Sequence, residues 1–252
     1  RRGVAGYLHE GALLCGTGTW QLAAEELSQH AKLVGIVTGF CVQTEQGYVA
    51  ETDGQPGALY LARTLLALGV DVLLISDSYG MPLLEAGADL WGIPRSCLLQ
   101  VPFEADLADH PHRARNEDDH NRVTDDWVRR FLESETGRRL THLVAIERAG
   151  PSHMPTTVAC EQEQDTLNQR EEFQRDVPEE AHNICHNMRG ESINAHTAKI
   201  HRLFEIVAEQ RPDVKTIGIC DGGNEIGSGS IPWHVLRRAI ALGVGDRVAC
   251  RI

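Results

Sequence analysis

The stretch Asp221-Gly222-Gly223-Asn224-Glu225-Ile226-Gly227-Ser228-Gly229 holds the densest set of chemically useful residues in the chain. Its glycines permit close backbone approach to a ligand and left-handed backbone angles. Asp221, Asn224 and Glu225 are hard oxygen donors of the kind that hold Mg²⁺ or Mn²⁺. A turn alone would explain the glycines but not three acid or amide side chains among them. No Lys follows the last glycines, so this is not a phosphate-binding P-loop, and Gly227-x-Gly229 lacks the third glycine of a dinucleotide fingerprint. No nucleotide or flavin cofactor is expected.

Three further segments place polar residues after apolar runs. Glu147-Arg148-Ala149-Gly150-Pro151 follows the buried-looking run His142–Ile146. Two charges there read either as an ion pair with each other or as parts of a site. Glu51-Thr52-Asp53-Gly54 leads into Pro56, so Asp53 can cap the following helix. Alternatively Thr52, Gly54 and the free amides of the helix start hold an anion. Ser76-Asp77-Ser78 reads as a cap or turn, or as one more carboxylate of the set. If Asp53, Asp77, Glu147, Asp221 and Glu225 converge, they form an oxygen-rich site suited to one divalent cation. Arg189, in Asn187-Met188-Arg189-Gly190, is a candidate for gripping a carboxylate in bidentate fashion. His182 and His186, four apart with Cys185 beside them, resemble a metal pair but lack obvious further ligands. A surface pair in a loop is the expected reading. His110, His112 and His120 sit in an acidic run and are expected to face solvent.

These residues need a scaffold, and the apolar patterning supplies one. Lys32–Thr38, Val70–Ser76, Ser96–Val101, His142–Ile146 and Val214–Cys220 read as strands, with Arg247–Ile252 a further candidate to close the sheet. Pro56–Leu68, Met81–Leu90, Val123–Glu135, Ile193–Gln210 and Pro232–Leu242 read as helices, the Ile193–Gln210 helix capped by Ser192. The strands are continuously apolar, as expected when both faces of a sheet are covered. The alternation predicts an α/β fold: a largely parallel, three-layer, Rossmann-like sheet with helices on both faces. In such sheets ligands sit at the carboxyl ends of the strands, where the polar segments above fall. Two stretches break the rhythm: the polar run Glu104–Asp126 and the Glu- and Gln-rich run Gly150–Arg189. The second is expected to be a lid or subdomain, or a partly disordered insertion, within one α/β domain spanning residues 1–252.

Composition narrows the function classes. The chain has 252 residues, enough for one large domain or two modest ones. With 24 basic and 36 acidic residues its net charge is −12, which disfavours nucleic acid and anionic membranes as partners. Seven widely spaced cysteines with no CxxC argue against a disulfide framework or a zinc ribbon, and fit a reducing compartment. No apolar run approaches the ~20 residues of a membrane span. The first residue is Arg1 rather than Met, which fits a segment of a longer protein with any targeting stretch outside it.

Several segments together are similar to a known family. Gly35-Ile36-Val37-Thr38-Gly39-Phe40, Glu51-Thr52-Asp53-Gly54-x-Pro56-Gly57-Ala58, Glu147-Arg148-Ala149-Gly150-Pro151, Asn187-Met188-Arg189-Gly190 and Gly218 to Gly227 resemble the C-terminal domain of the D-glutamate cyclase family. The resemblance runs from about Lys32 to the end. It implies a lyase converting D-glutamate to 5-oxo-D-proline and water, an N-terminal cyclase domain as partner in the same protein, and a mitochondrial, matrix location. It leaves open which domain does the chemistry and whether the protein is a homo-oligomer. Cyclising glutamate requires a base for the α-ammonium and a positive group against the γ-carboxylate. The residues that meet these needs are Glu147, Arg148 and Asp221 as catalytic groups, and Asp53, Glu147, Asp221 and Glu225 as metal ligands. Thr52, Asp53, Gly54, Arg189, Gly222, Gly223 and Asn224 are the candidates for binding substrate. Two other readings stand beside this one: a metal-dependent phosphohydrolase-like domain, and a non-catalytic ligand-binding or regulatory domain of a two-domain cyclase.

Overall fold

A computed structural model describes residues 17–45, 47–103, 117–158 and 163–245. Five parallel strands form the central sheet: β1 (Leu33–Gly39), β4 (Asp71–Ser76), β5 (Leu98–Gln100), β6 (His142–Arg148) and β7 (Lys215–Ile219), in the order β5-β4-β1-β6-β7. A hairpin of β2 (Cys41–Thr44) and β3 (Gly47–Ala50) stands apart from it. The apolar residues of β1 and β6 are buried on both faces, which is why the sequence does not alternate there.

The helices are α1 (Thr17–His30), α2 (Gln55–Ala67), α3 (Met81–Trp91), α4 (Glu117–Glu133), α5 (Glu135–Arg138), α6 (Glu163–Asp176), α7 (His201–Gln210) and α8 (Trp233–Val244). On one face Leu27 of α1, Leu59 of α2 and Leu84 of α3 pack against Val34, Ile36, Val144 and Ile146. On the other, Val128 and Phe131 of α4 and Leu203 and Ile206 of α7 pack against Val37, Ile75 and Leu143. The expected α/β, three-layer arrangement is therefore present. The chain leaves β1 towards one face and β6 towards the other, so the carboxyl ends of these neighbouring strands form the topological switch point, the usual place for a ligand in this architecture.

Three differences from the sequence reading have physical causes. The long helix over Ile193–Gln210 is only α7, preceded by a 3-10 turn at Asn194–His196. Thr197 is extended between them, and the backbone of Ala198 is taken up by tertiary bonds to Asp77 and Arg148. Ser192 lies in a bridge with His186 rather than capping a long helix. The polar stretch after Gly150 contains α6, anchored by Phe173 in a small core with Val158, Val177, Ala181 and Trp233 of α8. Arg237 of α8 adds ion pairs to Glu172 and Asp176. One aromatic on a polar helix was too weak a periodic signal to predict it. The expected closing strand at 247–252, and His110 and His112, lie outside the described residues. Among the described residues no helix is long and apolar enough to cross a membrane.

Candidate active site

The end of β6 is irregular where the chemistry is expected. Ile146 pairs with Thr38 and Arg148 with Gly39, so Glu147 is one residue too many on its strand. Its φ of 48° is left-handed, a cost that a non-glycine residue carries only where the surroundings impose it. Such a bulge re-aims side chains. Here it turns Glu147 towards the start of α2 and sends Arg148 to the other side.

Arg148 is 1% exposed. Its Nη2 lies 2.7 Å from Asp77 Oδ2 and donates to Ala198 O, while Nη1 donates to Gly39 O. Asp77 also accepts from the backbone N–H groups of Tyr79, Gly80 and Ala198. This buried pair ties the ends of β1, β4 and β6 to the segment before α7. The expectation of Arg148 as a substrate-gripping catalytic group is therefore corrected: the side chain is buried and both its terminal nitrogens are held, by Asp77 and two carbonyls. The ion pair is with Asp77, not with Glu147. For the same reason Asp77 does not join the other carboxylates.

Glu147, Asp221 and Glu225 do come together, each offering a carboxylate oxygen within 4.8 Å of the others, so they could hold a metal ion. They line a cavity of about 310 Å³ with Glu51, Asp53, Asn187, Arg189, Gly222 and Asn224, and with Phe40, Val42 and Met188 as its apolar wall. Glu51 is a site residue the sequence reading passed over; its position two before Asp53 was the available signal, because i and i+2 share a side of an extended segment. Thr52 is exposed and does not line the cavity, and Gly223 lines a neighbouring one. Asp53 accepts from the N–H of Gly54, a local turn at the entry to α2.

Gly54 fits because nothing larger would. Its φ is 74°, and a Cβ there would lie 2.7 Å from Thr38 Oγ1 and 2.8 Å from Glu147 Cβ. Gly222 is confined in a similar way: a Cβ would lie 2.6 Å from Asn224 Oδ1 and 2.7 Å from Glu225 Oε1. Glu225 is itself held by the N–H groups of Gly222 and Gly223, at 3.1 and 2.8 Å. Asn224 is 6% exposed. Its Nδ2 donates to His186 O, which fixes the amide, and its Oδ1 has no partner among the described residues.

Crowding of like charges away from water disfavours the ionised form. Burial, then the charges of Glu225, Asp221, Asp53 and Glu51, push the Glu147 carboxyl up to about 8. Burial raises Glu225 to about 7 against the pull of the two glycine N–H groups. Asp221 is raised by burial and Asp53, and Glu51 by burial, Asp53 and Asp221. A divalent cation would relieve all of these, and the donor set of carboxylates with one amide oxygen suits Mg²⁺ or Mn²⁺.

Arg189 is exposed at the rim of the same cavity, its N–H held by Asn187 Oδ1. The two histidines do not form a surface pair: His186 is 4% exposed, and His182 rests on Phe173 with Nε2 near Val177 O.

The chain matches the family described as D-glutamate cyclase-like, C-terminal, over residues 9–162 and 177–252. A protein of Homo sapiens named D-glutamate cyclase, mitochondrial, is 26% identical over 243 residues, which are 96% of this chain and 32% of that protein. The chain thus spans about a third of the length of that relative. With most of its length matched, the chain belongs to the D-glutamate cyclase-like C-terminal family.

Proposed function

We propose that this chain is the catalytic part of a D-glutamate cyclase, a lyase converting D-glutamate to 5-oxo-D-proline and water in the mitochondrial matrix. An N-terminal cyclase domain of the same longer protein is its proposed partner. The observation that carries the reading is the meeting of Glu147, Asp221 and Glu225 in one cavity that Arg189 also lines, in a chain of this family.

Glu147, Asp221 and Glu225 are the proposed ligands of a divalent cation, with Asp53 beside them. When bound, the cation neutralises a substrate carboxylate and makes it a better electrophile. Arg189 takes the other carboxylate, and Asn224 Oδ1 and Asp53 accept from the ammonium. Phe40, Val42 and Met188 seat the methylenes. Holding amine and γ-carboxyl within one folded substrate removes much of the entropic barrier. Closure forms the N–C bond and breaks a C–O bond. Two protons leave the ammonium, one stays on the lactam nitrogen, and the departing oxygen takes the two as water. Glu147, as ligand or base, is the proposed group to carry them, since it lines the cavity in which the amine and the γ-carboxyl would meet. Gly54, Gly222 and Gly223 shape the site, and Thr52 belongs to the turn beside it.

Incubating the isolated chain with D-glutamate and Mn²⁺, and following 5-oxoproline by proton NMR, tests the proposal. Product formed from D-glutamate supports it. Binding of cation and D-glutamate without turnover would assign the domain a ligand-binding role instead. Calorimetry on Asp221→Ala and Glu225→Ala tests the ligand assignment: unchanged Mn²⁺ affinity would sink it.

A further inference from the structure

Two walls of the candidate active site stand outside the central sheet. One is the β2–β3 ribbon, with Phe40 at its entry and Val42 and Gln43 of β2 lining the cavity. The other is the loop between Cys185 and Ile193, which brings Asn187, Met188 and Arg189 to the same cavity. Both are fastened to one short piece of chain, the 3-10 turn Asn194–His196.

The loop is held at its base. Asn194 Oδ1 accepts from Cys185 N–H at 2.9 Å, and Ile193 N–H donates to Cys185 O at 2.8 Å. The ribbon is held at its base and farther out. At the base Glu51 N–H donates to Phe40 O, and Phe40 packs on Ala149, Cys185 and Ile193. Farther out Tyr48 of β3, paired across the ribbon with Gln43, stacks on the His196 imidazole, with centroids 3.5 Å apart and an interplanar angle of 16°. His196 Nδ1 is hydrogen-bonded to the Tyr79 hydroxyl at 2.9 Å, and Tyr79 belongs to the turn that Asp77 caps. Two residues beyond His196, the backbone of Ala198 is bound to Asp77 and Arg148. The turn is thus fixed to the buried ion pair on one side and carries both cavity walls on the other.

A two-stranded ribbon alone is marginally stable in water. Its position against the cavity therefore depends on its contacts with the rest of the chain. Loss of one stacked aromatic pair corresponds to a change of about 3- to 10-fold in an equilibrium. A ligand that needs the ribbon in place binds more weakly in proportion to the fraction of molecules that keep it there. The proposed cation ligands are set independently, Glu147 by the β6 bulge and Glu225 by the N–H groups of Gly222 and Gly223.

We propose that His196 is a positioning residue of the site: by carrying Tyr48 it keeps Val42 and Gln43 against the organic ligand, while taking no part in holding the cation. The identity of that ligand rests on the D-glutamate reading; the anchoring does not. Calorimetry with Mn²⁺ alone, and with D-glutamate at saturating Mn²⁺, tests it. His196→Ala is expected to weaken D-glutamate binding about 3- to 10-fold and to leave Mn²⁺ affinity within about twofold of the native chain. His196→Phe, which keeps a ring against Tyr48, is expected to hold D-glutamate binding within about twofold, and Tyr48→Ala to behave as His196→Ala. Amide hydrogen exchange without ligand reads the anchoring itself: β2 and β3 should exchange about 3- to 10-fold faster in His196→Ala, with β6 unchanged. A native chain that does not bind D-glutamate, with this exchange response present, would overturn the D-glutamate reading and support the anchoring. Unchanged exchange of the ribbon, equal D-glutamate affinity in His196→Ala and the native chain, a loss in His196→Phe as large as in His196→Ala, or an equal fall in Mn²⁺ affinity would overturn the proposal.

Discussion

Glu147→Gln separates the charge of the cluster from its packing, because the amide keeps the size of the side chain and removes only the titration. In the folded chain Glu147 holds its proton up to about 8, against 4.5 for a glutamate free in water. The sign follows from linkage: the folded state binds the proton more tightly between these values, so the stability that Glu147 contributes is fully present below 4.5 and is lost as pH rises through 8. At pH 7 the unscreened loss is about 3 kcal/mol, from about 1.4 kcal/mol per pKa unit. The carboxylate is partly solvated, so about 1–2 kcal/mol is the expected figure. For a chain of this length that is a rise of about 3–6 °C in melting temperature for Glu147→Gln over the native chain at pH 7–8 without added metal. Near pH 4 the two should melt together, to within about 0.5 kcal/mol. Saturating Mn²⁺ should reverse the order at pH 7–8, since a cation at about 100 times its dissociation constant adds about 2.7 kcal/mol to the native chain and less to a variant short of one carboxylate. Thermal melts across pH, with and without Mn²⁺, read both effects. An advantage of Glu147→Gln that is the same at pH 4 and pH 8, or an equal Mn²⁺ response in the two proteins, would refute the reasoning.

Other outcomes follow from the same geometry. Arg148→Met leaves the Asp77 carboxylate buried without its cation and should cost about 3–5 kcal/mol in urea unfolding, whereas Arg148 and Asp77 replaced together should cost less than the sum. Gly54→Ala should destabilise by about 1–3 kcal/mol, because a Cβ meets Glu147 at a left-handed φ, and should weaken Mn²⁺ binding by calorimetry. His201 is buried among Lys199, Arg202 and Arg148, and burial first, then those charges, hold it down to about 3. The unfolded chain binds that proton near 6.5, so the stability it contributes is present above 6.5 and lost as pH falls from there towards 3; His201→Gln should flatten this acid limb in urea melts.

The sheet was legible because buried parallel strands leave apolar runs such as 33–37 and 143–146, and the strand ends then pointed, without any knowledge of strand order, to carboxylates that line one cavity. Asp53, Glu147, Asp221 and Glu225 were reached in this way. Arg148 was expected in the site because it ends a strand, and only the bulge at Glu147 turns it away to Asp77, whose turn reading fits its bonds to the N–H groups of Tyr79 and Gly80; a sequence does not announce a bulge. The hairpin β2–β3 and helix α6 were missed for another reason. Each is too short or too polar to carry a periodic signal, and each is held by a few distant contacts: Tyr48 stacked on His196, and Phe173 against Trp233.

The central claim is that the carboxylates gathered at the switch point, through a divalent cation, turn D-glutamate into its lactam. Proton NMR of D-glutamate with the chain and Mn²⁺ at neutral pH tests it most directly. The account predicts 5-oxoproline accumulating with Mn²⁺, falling by at least about a hundredfold in rate for Asp221→Ala. Full Mn²⁺ and D-glutamate binding with no 5-oxoproline, or product formed equally well by Asp221→Ala, would contradict it.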